Sequence, residues 1–101
     1  MKIKICAIGE CMLEFTNIKK DFYNQSIAGD TLNFCSYLDK KIFDTSFLTA
    51  IGTSEISNRT LNFLKKQKIN TNLVTRINSH EIGLYLIENN KIGEKIFYYW
   101  R

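Results

Sequence analysis

The sequence predicts an α/β fold with a partly parallel sheet, on three observations. Apolar runs of strand length alternate with stretches whose apolar residues recur every three to four positions. Two of the strand-like runs close on a glycine, Gly9 and Gly52, and two helical stretches follow polar start signals. The resulting order is strand, strand, loop, helix, strand, helix and then strands, which builds parallel pairing through helical crossovers. A chain of 101 residues has room for one small domain.

Each element has its own signal. Lys2 to Ala7 alternates lysine with isoleucine, turns apolar and reaches Gly9, which predicts a strand running into a turn. Met12 to Phe15 predicts a second short strand. Thr16 to Ala28 is polar with isolated aromatics, consistent with a loop or with short edge strands. Gly29-Asp30 punctuates the chain, and from Thr31 onward Leu32, Cys35, Leu38 and Ile42 share one helical face. Asp30 is a competent N-cap for that helix.

Thr45 to Ile51, closed by Gly52, predicts a buried strand. Ser54-Glu55 opens a second helix, with Ser54 as cap and Glu55 favoured by the helix dipole. This helix runs through Leu61 and Leu64 into Lys65-Lys66-Gln67-Lys68, cations suited to a helix C-terminus. Leu73 to Ile77 predicts a further short strand. Gly83 to Glu88 and Glu94 to Trp100 are rich in β-formers and flank Asn89-Asn90-Lys91-Ile92-Gly93, which predicts a hairpin. An aromatic strand needs a cover for its apolar face and none follows Arg101, so the sequence reads as cut short. Phe47, Leu48 and Ile51 are accordingly expected to lack covering helices.

Composition narrows the function classes. A content of 45% hydrophobic and 13% aromatic residues argues against disorder. The net charge of +4 is spread along the chain, densest at Lys19-Lys20, Lys40-Lys41 and Lys65-Lys66, which reads as solvated faces rather than a nucleic-acid surface. No apolar run approaches the roughly 20 residues of a membrane span. The basic and apolar start is broken by Lys4 and meets Glu10, so it reads as a strand rather than a signal peptide. Cys6, Cys11 and Cys35 are odd in number without CxxC spacing, as expected for reduced cytoplasmic thiols packed as small apolar residues. His80 is the one histidine, which leaves no triad or histidine metal cluster, and it falls in a turn where solvation is expected.

The residues with most chemical content lie between the first strands and the first helix. Ala28-Gly29-Asp30-Thr31-Leu32-Asn33 resembles the first signature of the ribokinase-type (PfkB) sugar kinases, a Gly-Gly-x-x-x-Asn segment opening a helix. Gly52 stands where the later glycine of that signature falls. Ala28 replaces the usual first glycine, and Ile42 stands where glycine or serine is usual. Five longer strings are similar to the 2-keto-3-deoxygluconate kinase branch of the family. They are Ile8 to Glu14, Gly29 to Asn33, Thr49 to Thr53, Gly83 to Glu88 and Phe97 to Arg101, in the family's order across the whole chain.

The resemblance implies that residues 1–101 are the N-terminal part of a PfkB carbohydrate kinase domain. That part would hold the substrate-binding and lid region of the ribokinase-like fold: a partial parallel core sheet, two helices and β-rich lid strands. The C-terminal ATP-binding and catalytic part would be absent. A complete parent enzyme would use ATP and Mg²⁺ to phosphorylate 2-keto-3-deoxygluconate or a related sugar acid. The lid would cover the sugar and support homo-oligomerisation; no nucleic-acid or membrane partner is implied.

By the same resemblance, Gly29, Asp30, Thr31, Leu32, Asn33, Tyr85, Tyr99 and Arg101 are the sugar-acid-binding residues. The chemistry suits them. A glycine lets backbone approach a ligand closely, and Asp30 and Asn33 can exchange hydrogen bonds with hydroxyls. Arg101 lies two residues beyond Tyr99, on the same side of an extended strand, and its planar fork matches a carboxylate. Plainer readings stand beside these. Asp30 serves as a helix cap, the tyrosines as strand packing, and Glu14 as a residue near the sugar or at the sheet rim rather than one of a Glu10/Glu14 acid–base pair.

Phosphoryl transfer needs a base and groups that stabilise charge on the moving phosphate. In the family the base is the aspartate of a Gly-Ala-Gly-Asp motif in the C-terminal part. Ala28-Gly29-Asp30 imitates that motif but lies too early and continues as the substrate signature. No Walker-type loop is present. The chain alone is therefore expected to contain no catalytic residue, to bind no ATP, Mg²⁺ or other metal, and to be inactive. A non-catalytic remnant, or an interaction and dimerisation module, is the alternative, with nucleic-acid binding the weakest.

Overall fold

The computed structural model describes residues 1–101 as nine elements. In chain order they are β1 (Ile3–Ile8), β2 (Met12–Lys19), β3 (Phe22–Ala28), α1 (Asp30–Tyr37), β4 (Phe43–Ile51), α2 (Glu55–Lys66), β5 (Val74–Arg76), β6 (Gly83–Asn89) and β7 (Lys95–Trp100). They form two sheets. The core sheet is parallel, in the order β1-β4-β5, and the four-stranded second sheet runs β3-β2-β6-β7 with β2 and β6 parallel. The α/β class and the partial parallel sheet with two helices are as the sequence predicts.

The core lies on one face of the core sheet. In parallel register Ile5 pairs with Thr45 and Ala7 with Phe47, and this row continues through Thr49 and Ile51. Leu32 and Cys35 of α1 and Leu64 of α2 join Ala7, Phe47 and Ile51 in a single apolar cluster. The opposite face, with Lys4, Cys6, Ile8, Asp44 and Leu48, is open to solvent. β4 is therefore buried on one face only, where the sequence predicts a buried strand. Phe47 and Ile51 are covered after all, 0% and 2% exposed, whereas Leu48 is 41% and Ile8 71% exposed.

Other departures have local causes. The segment from Thr16 to Ala28 is not a loop: β2 runs on to Lys19 and pairs antiparallel with β3 from Met12↔Ala28 to Lys19↔Phe22. The edge-strand alternative is the one realised, because β3 ends its sheet. Asp30 is the first residue of α1 rather than its cap; Gly29 occupies the cap position, without a side-chain bond. Ile42 lies beyond the helix, which ends at Tyr37. Ser54 does cap α2 by position, but its hydroxyl donates to Glu81 (2.6 Å) instead of the helix N–H groups. Lys65 and Lys66 occupy the last turn of α2 as expected.

The β6–β7 hairpin forms around Asn90. Its side-chain oxygen accepts from the N–H groups of Ile92 (3.0 Å) and Glu94 (2.9 Å), with Gly93 at φ 84 completing the turn. No helix is long and apolar enough to cross a membrane. Cys11 and Cys35 are buried as predicted, but Cys6 is exposed on the open face of β1.

Candidate functional site: a cleft between the second sheet and the first helix

The start of α1 is held where the chain leaves β1. Gly29 has φ 136, in the region that side chains avoid, and a Cβ on it would lie 2.8 Å from the Glu10 carbonyl oxygen. A Cβ on Gly9 would fall 2.1 Å from the Thr31 hydroxyl oxygen. These two close approaches seat the β1–β2 turn directly against the first turn of α1.

The second sheet supplies the other wall. Register aligns Ser26 of β3, Glu14 of β2, Tyr85 of β6 and Tyr99 of β7 in one row across all four strands. Side chains in such a row share a face. The Tyr85 hydroxyl donates to Glu14 Oε1 at 2.6 Å, and the Ser26 hydroxyl to Glu14 Oε2 at 3.0 Å. The Tyr85 and Tyr99 ring centroids are 5.7 Å apart, and Phe97 stacks on Tyr99 at 6.3 Å. Burial, reinforced by the bond to Glu14, pushes the Tyr85 phenol well above its ordinary range.

Between these walls lies a cleft of about 460 Å³. Six of the eight residues expected from the sequence line it: Gly29, Asp30, Thr31, Tyr85, Tyr99 and Arg101. Two do not. Leu32 is 1% exposed within the apolar core, so its side chain is unavailable to a ligand. Asn33 is exposed on α1 and outside the cleft lining; its backbone N–H bonds Gly29 O, 2.8 Å away, within the helix. The cleft also gathers Glu10, Met12 and Phe97, which the sequence expectation omitted. Phe97 carried a signal, since it alternates with Tyr99 along the same strand.

Arg101 extends over the Tyr99 ring, its guanidinium carbon 4.8 Å from the centroid. Its Nε lies 3.3 Å from Glu10 Oε1, which leaves the two terminal nitrogens of the fork for another acceptor. Both side chains are more than half exposed, so this ion pair contributes no more than about 1 kcal/mol. Glu10 and Glu14 do not form an acid–base pair: one engages Arg101, the other Tyr85 and Ser26. No three His, Cys, Asp or Glu side chains gather into a metal-binding group. His80 is exposed.

A larger groove of about 490 Å³ runs between α2 and the opposite face of the second sheet. Leu13, Phe15, Ile27, Ile56 and Phe63 make it mainly apolar, and it contains none of the expected site residues. Gln25, Arg59, Asn62 and Lys66 give this groove polar groups as well, but only the smaller cleft brings the expected residues together.

Comparison with known proteins bears on the same surface. A family model described as pfkB family carbohydrate kinase matches residues 2–101. The chain is 37% identical over 101 residues to the 2-dehydro-3-deoxygluconokinase of Dickeya dadantii, covering 96% of this chain and 32% of that one. Among solved structures, the 2-dehydro-3-deoxygluconokinase of Thermotoga maritima superposes with a TM-score of 0.81 at 20% identity, covering 96% of this chain and 32% of that one. A Xylella fastidiosa fructokinase with bound ATP gives a TM-score of 0.80 at 16% identity, covering 100% and 34%. The chain thus spans about a third of the length of the curated relatives it matches.

Proposed function

Because this chain belongs to the pfkB family of carbohydrate kinases, we propose that it forms the sugar-acid-binding and lid part of a cytoplasmic ATP-dependent kinase for 2-keto-3-deoxygluconate. The observation that carries this reading is the convergence of Asp30, Tyr85, Tyr99 and a half-free Arg101 fork on one cleft. A keto-deoxy sugar acid has a carboxylate for Arg101, hydroxyls for Asp30, Glu10 and the tyrosine hydroxyls, and apolar ring or chain edges for the aromatic faces. The curated relatives at 35% to 38% identity are named for this substrate. The division of labour within the domain, with nucleotide and base supplied from beyond these 101 residues, is part of the same proposal.

The test is calorimetric titration of 2-keto-3-deoxygluconate into the full chain, with neutral fructose as the control. Arg101→Ala is expected to weaken sugar-acid binding by at least about tenfold, and Arg101→Lys to restore only part of it, since lysine lacks the fork. Fructose binding should be weak and indifferent to both. Equal affinity of the native chain and Arg101→Ala for the sugar acid defeats the proposal. The chain alone is expected to turn over no ATP with sugar acid and Mg²⁺. It contains no Gly-Ala-Gly-Asp motif and offers Mg²⁺ no acidic cluster.

One observation favours a second reading, as an interaction module that pairs with another copy. β7 is an edge strand in which every residue is exposed, including Phe97, Tyr98, Tyr99 and Trp100. Unpaired edges and apolar patches of this kind recruit other chains. Sedimentation over a range of concentrations decides it. Self-association that Tyr98→Lys abolishes supports pairing through β7, and a strictly monomeric species at all concentrations removes it.

A further inference from the structure

The four-strand row that ends in Tyr99 has a carboxylate at its centre. Glu14 sits on β2, between β3 and β6, half-buried and outside the lining of the cleft. Both its oxygens are engaged: Oε1 accepts from the Tyr85 hydroxyl at 2.6 Å and Oε2 from the Ser26 hydroxyl at 3.0 Å. No arginine or lysine pairs with it, since the ion pair here joins Arg101 to Glu10. Two hydroxyl protons hold this carboxylate, and its charge fixes where both of them point.

The consequence lies at Tyr85. A phenol has one proton and two lone pairs, whereas a carboxylate only accepts. With its proton committed to Glu14, the Tyr85 oxygen can only accept from a ligand in the cleft. Asp30, whose charge also acts on Tyr85, is a second acceptor in the same lining. Arg101 is the opposite: it only donates, and two nitrogens of its fork are free of Glu10. A ligand carboxylate set against Tyr85 would bring two acceptors together with no proton between them, and an acceptor left unpaired costs binding.

We propose that Glu14 is a positioning residue for the sugar acid: it holds the Tyr85 proton, so that Tyr85 takes a ligand hydroxyl as donor and rejects the carboxylate. The ligand's orientation follows, carboxylate to Arg101 and hydroxyl to Tyr85. This rests on the sugar-acid reading of the cleft and adds to it the group that decides which end of the ligand goes where. Glu14→Met keeps the length of the side chain and removes the acceptor, which frees the phenol proton to point into the cleft. Glu14→Gln keeps one acceptor oxygen and serves as the conservative variant.

The test is calorimetric titration of 2-keto-3-deoxygluconate into the full chain. Glu14→Met should weaken binding by about tenfold and Glu14→Gln by less. In a Tyr85→Phe background, Glu14→Met should add no more than about twofold, because Glu14 acts only through that hydroxyl. Pyruvate, a keto acid without a hydroxyl, should bind weakly and equally to the native chain and to Glu14→Met. Carbon-13 NMR of labelled tyrosine rings reads the proton itself. With Glu14 replaced, the Tyr85 phenol should release its proton at lower pH than in the native chain, which a merely structural role for Glu14 would not produce. A native chain that does not bind the sugar acid overturns the cleft reading and this proposal together. Binding that Arg101→Ala weakens and Glu14→Met does not overturns this proposal alone, as does a full tenfold loss in the Tyr85→Phe background or an equal loss with pyruvate. Should Glu14→Met fail to fold, Glu14→Gln carries the NMR test, and an unmoved Tyr85 phenol there overturns the proposal.

Discussion

The two sheets are built from similar β-forming residues and end in opposite physical states. In the core sheet, β4 alternates buried and open positions, and Thr45, Phe47, Thr49 and Ile51 are covered by the layer that includes both helices. In the second sheet, β7 carries five consecutive apolar or aromatic residues, Ile96 to Trp100, and not one of them is buried. What separates them is whether a third layer is present, not strand propensity. A strand next to two helices becomes structural, whereas an aromatic strand without a cover keeps its rings available for a ligand or a partner. The cleft lined by Asp30, Tyr85 and Arg101 lies at the boundary between these regimes, with a closely packed wall from the β1–α1 junction and a more open one from β6 and β7.

The largest expected contrast comes from truncating one phenylalanine in each sheet. Phe47 is fully buried, so Phe47→Ala should cost about 3–5 kcal/mol, enough to leave a domain this small largely unfolded. Phe97 is 46% exposed and stacks only on Tyr99 and Tyr85, so Phe97→Ala should cost about 1 kcal/mol or less. Urea denaturation followed by circular dichroism measures both. Similar losses at the two sites would break the contrast between the sheets.

A middle-sized effect should arise where the two regimes meet, at Tyr85. Tyr85→Phe removes the bond to Glu14 and should cost about 0.5–1.5 kcal/mol at neutral pH. The folded state holds the Tyr85 proton more tightly than the unfolded chain, whose phenol titrates near 10.0. The stabilisation is therefore fully present below pH 10 and is lost as pH rises beyond it, because the unfolded state then binds fewer protons. Thermal melts from pH 8 to 11 should show a falling Tm for the native chain above pH 10, and a shallower fall for Tyr85→Phe. Parallel curves would mean that the hydroxyl is free in solution.

How much of this was legible in the sequence depends on how local each signal is. The hairpin around Asn90, the Lys65-Lys66 end of α2 and the existence of β4 could be read because turn chemistry, dipole complementarity and a short apolar run act over a few residues; the one-sided burial of β4 could not. The β2–β3 pair could not: Asn17, Asn24, Gln25 and Ser26 are poor strand formers, held extended by pairing with residues up to twelve positions away. The site shows the same division. Arg101 and Tyr99 were readable as one face of one strand, whereas Ser26 joins Glu14 only through register across strands. Leu32 sits in the family-like signature yet serves the core, because helical period turns it away from the cleft wall that Asp30 and Thr31 occupy.

The smallest effect tests the two faces of the core sheet through their thiols. Cys6 sits on the open face of β1, while Cys11 and Cys35 are buried on the side of the apolar cluster. Burial pushes the Cys11 thiol from 9.0 up to about 11, with the Glu10 charge adding to the rise. Burial also raises Cys35, against the opposing charge of Lys40. The reactive species is the thiolate, so at pH 8 iodoacetamide should label Cys6 within minutes and reach the other two only through opening of the fold. Mass spectrometry of timed samples gives the order directly. Because the folded Cys11 thiol keeps its proton to higher pH, it stabilises the fold fully below pH 9 and loses that contribution as pH rises towards 11. Cys11→Ala should remove this small alkaline decline while leaving the Tyr85 one in place. Labelling of Cys11 as fast as Cys6 would show that the turn between β1 and β2 opens freely, and the closely packed wall of the cleft would have to be assigned elsewhere.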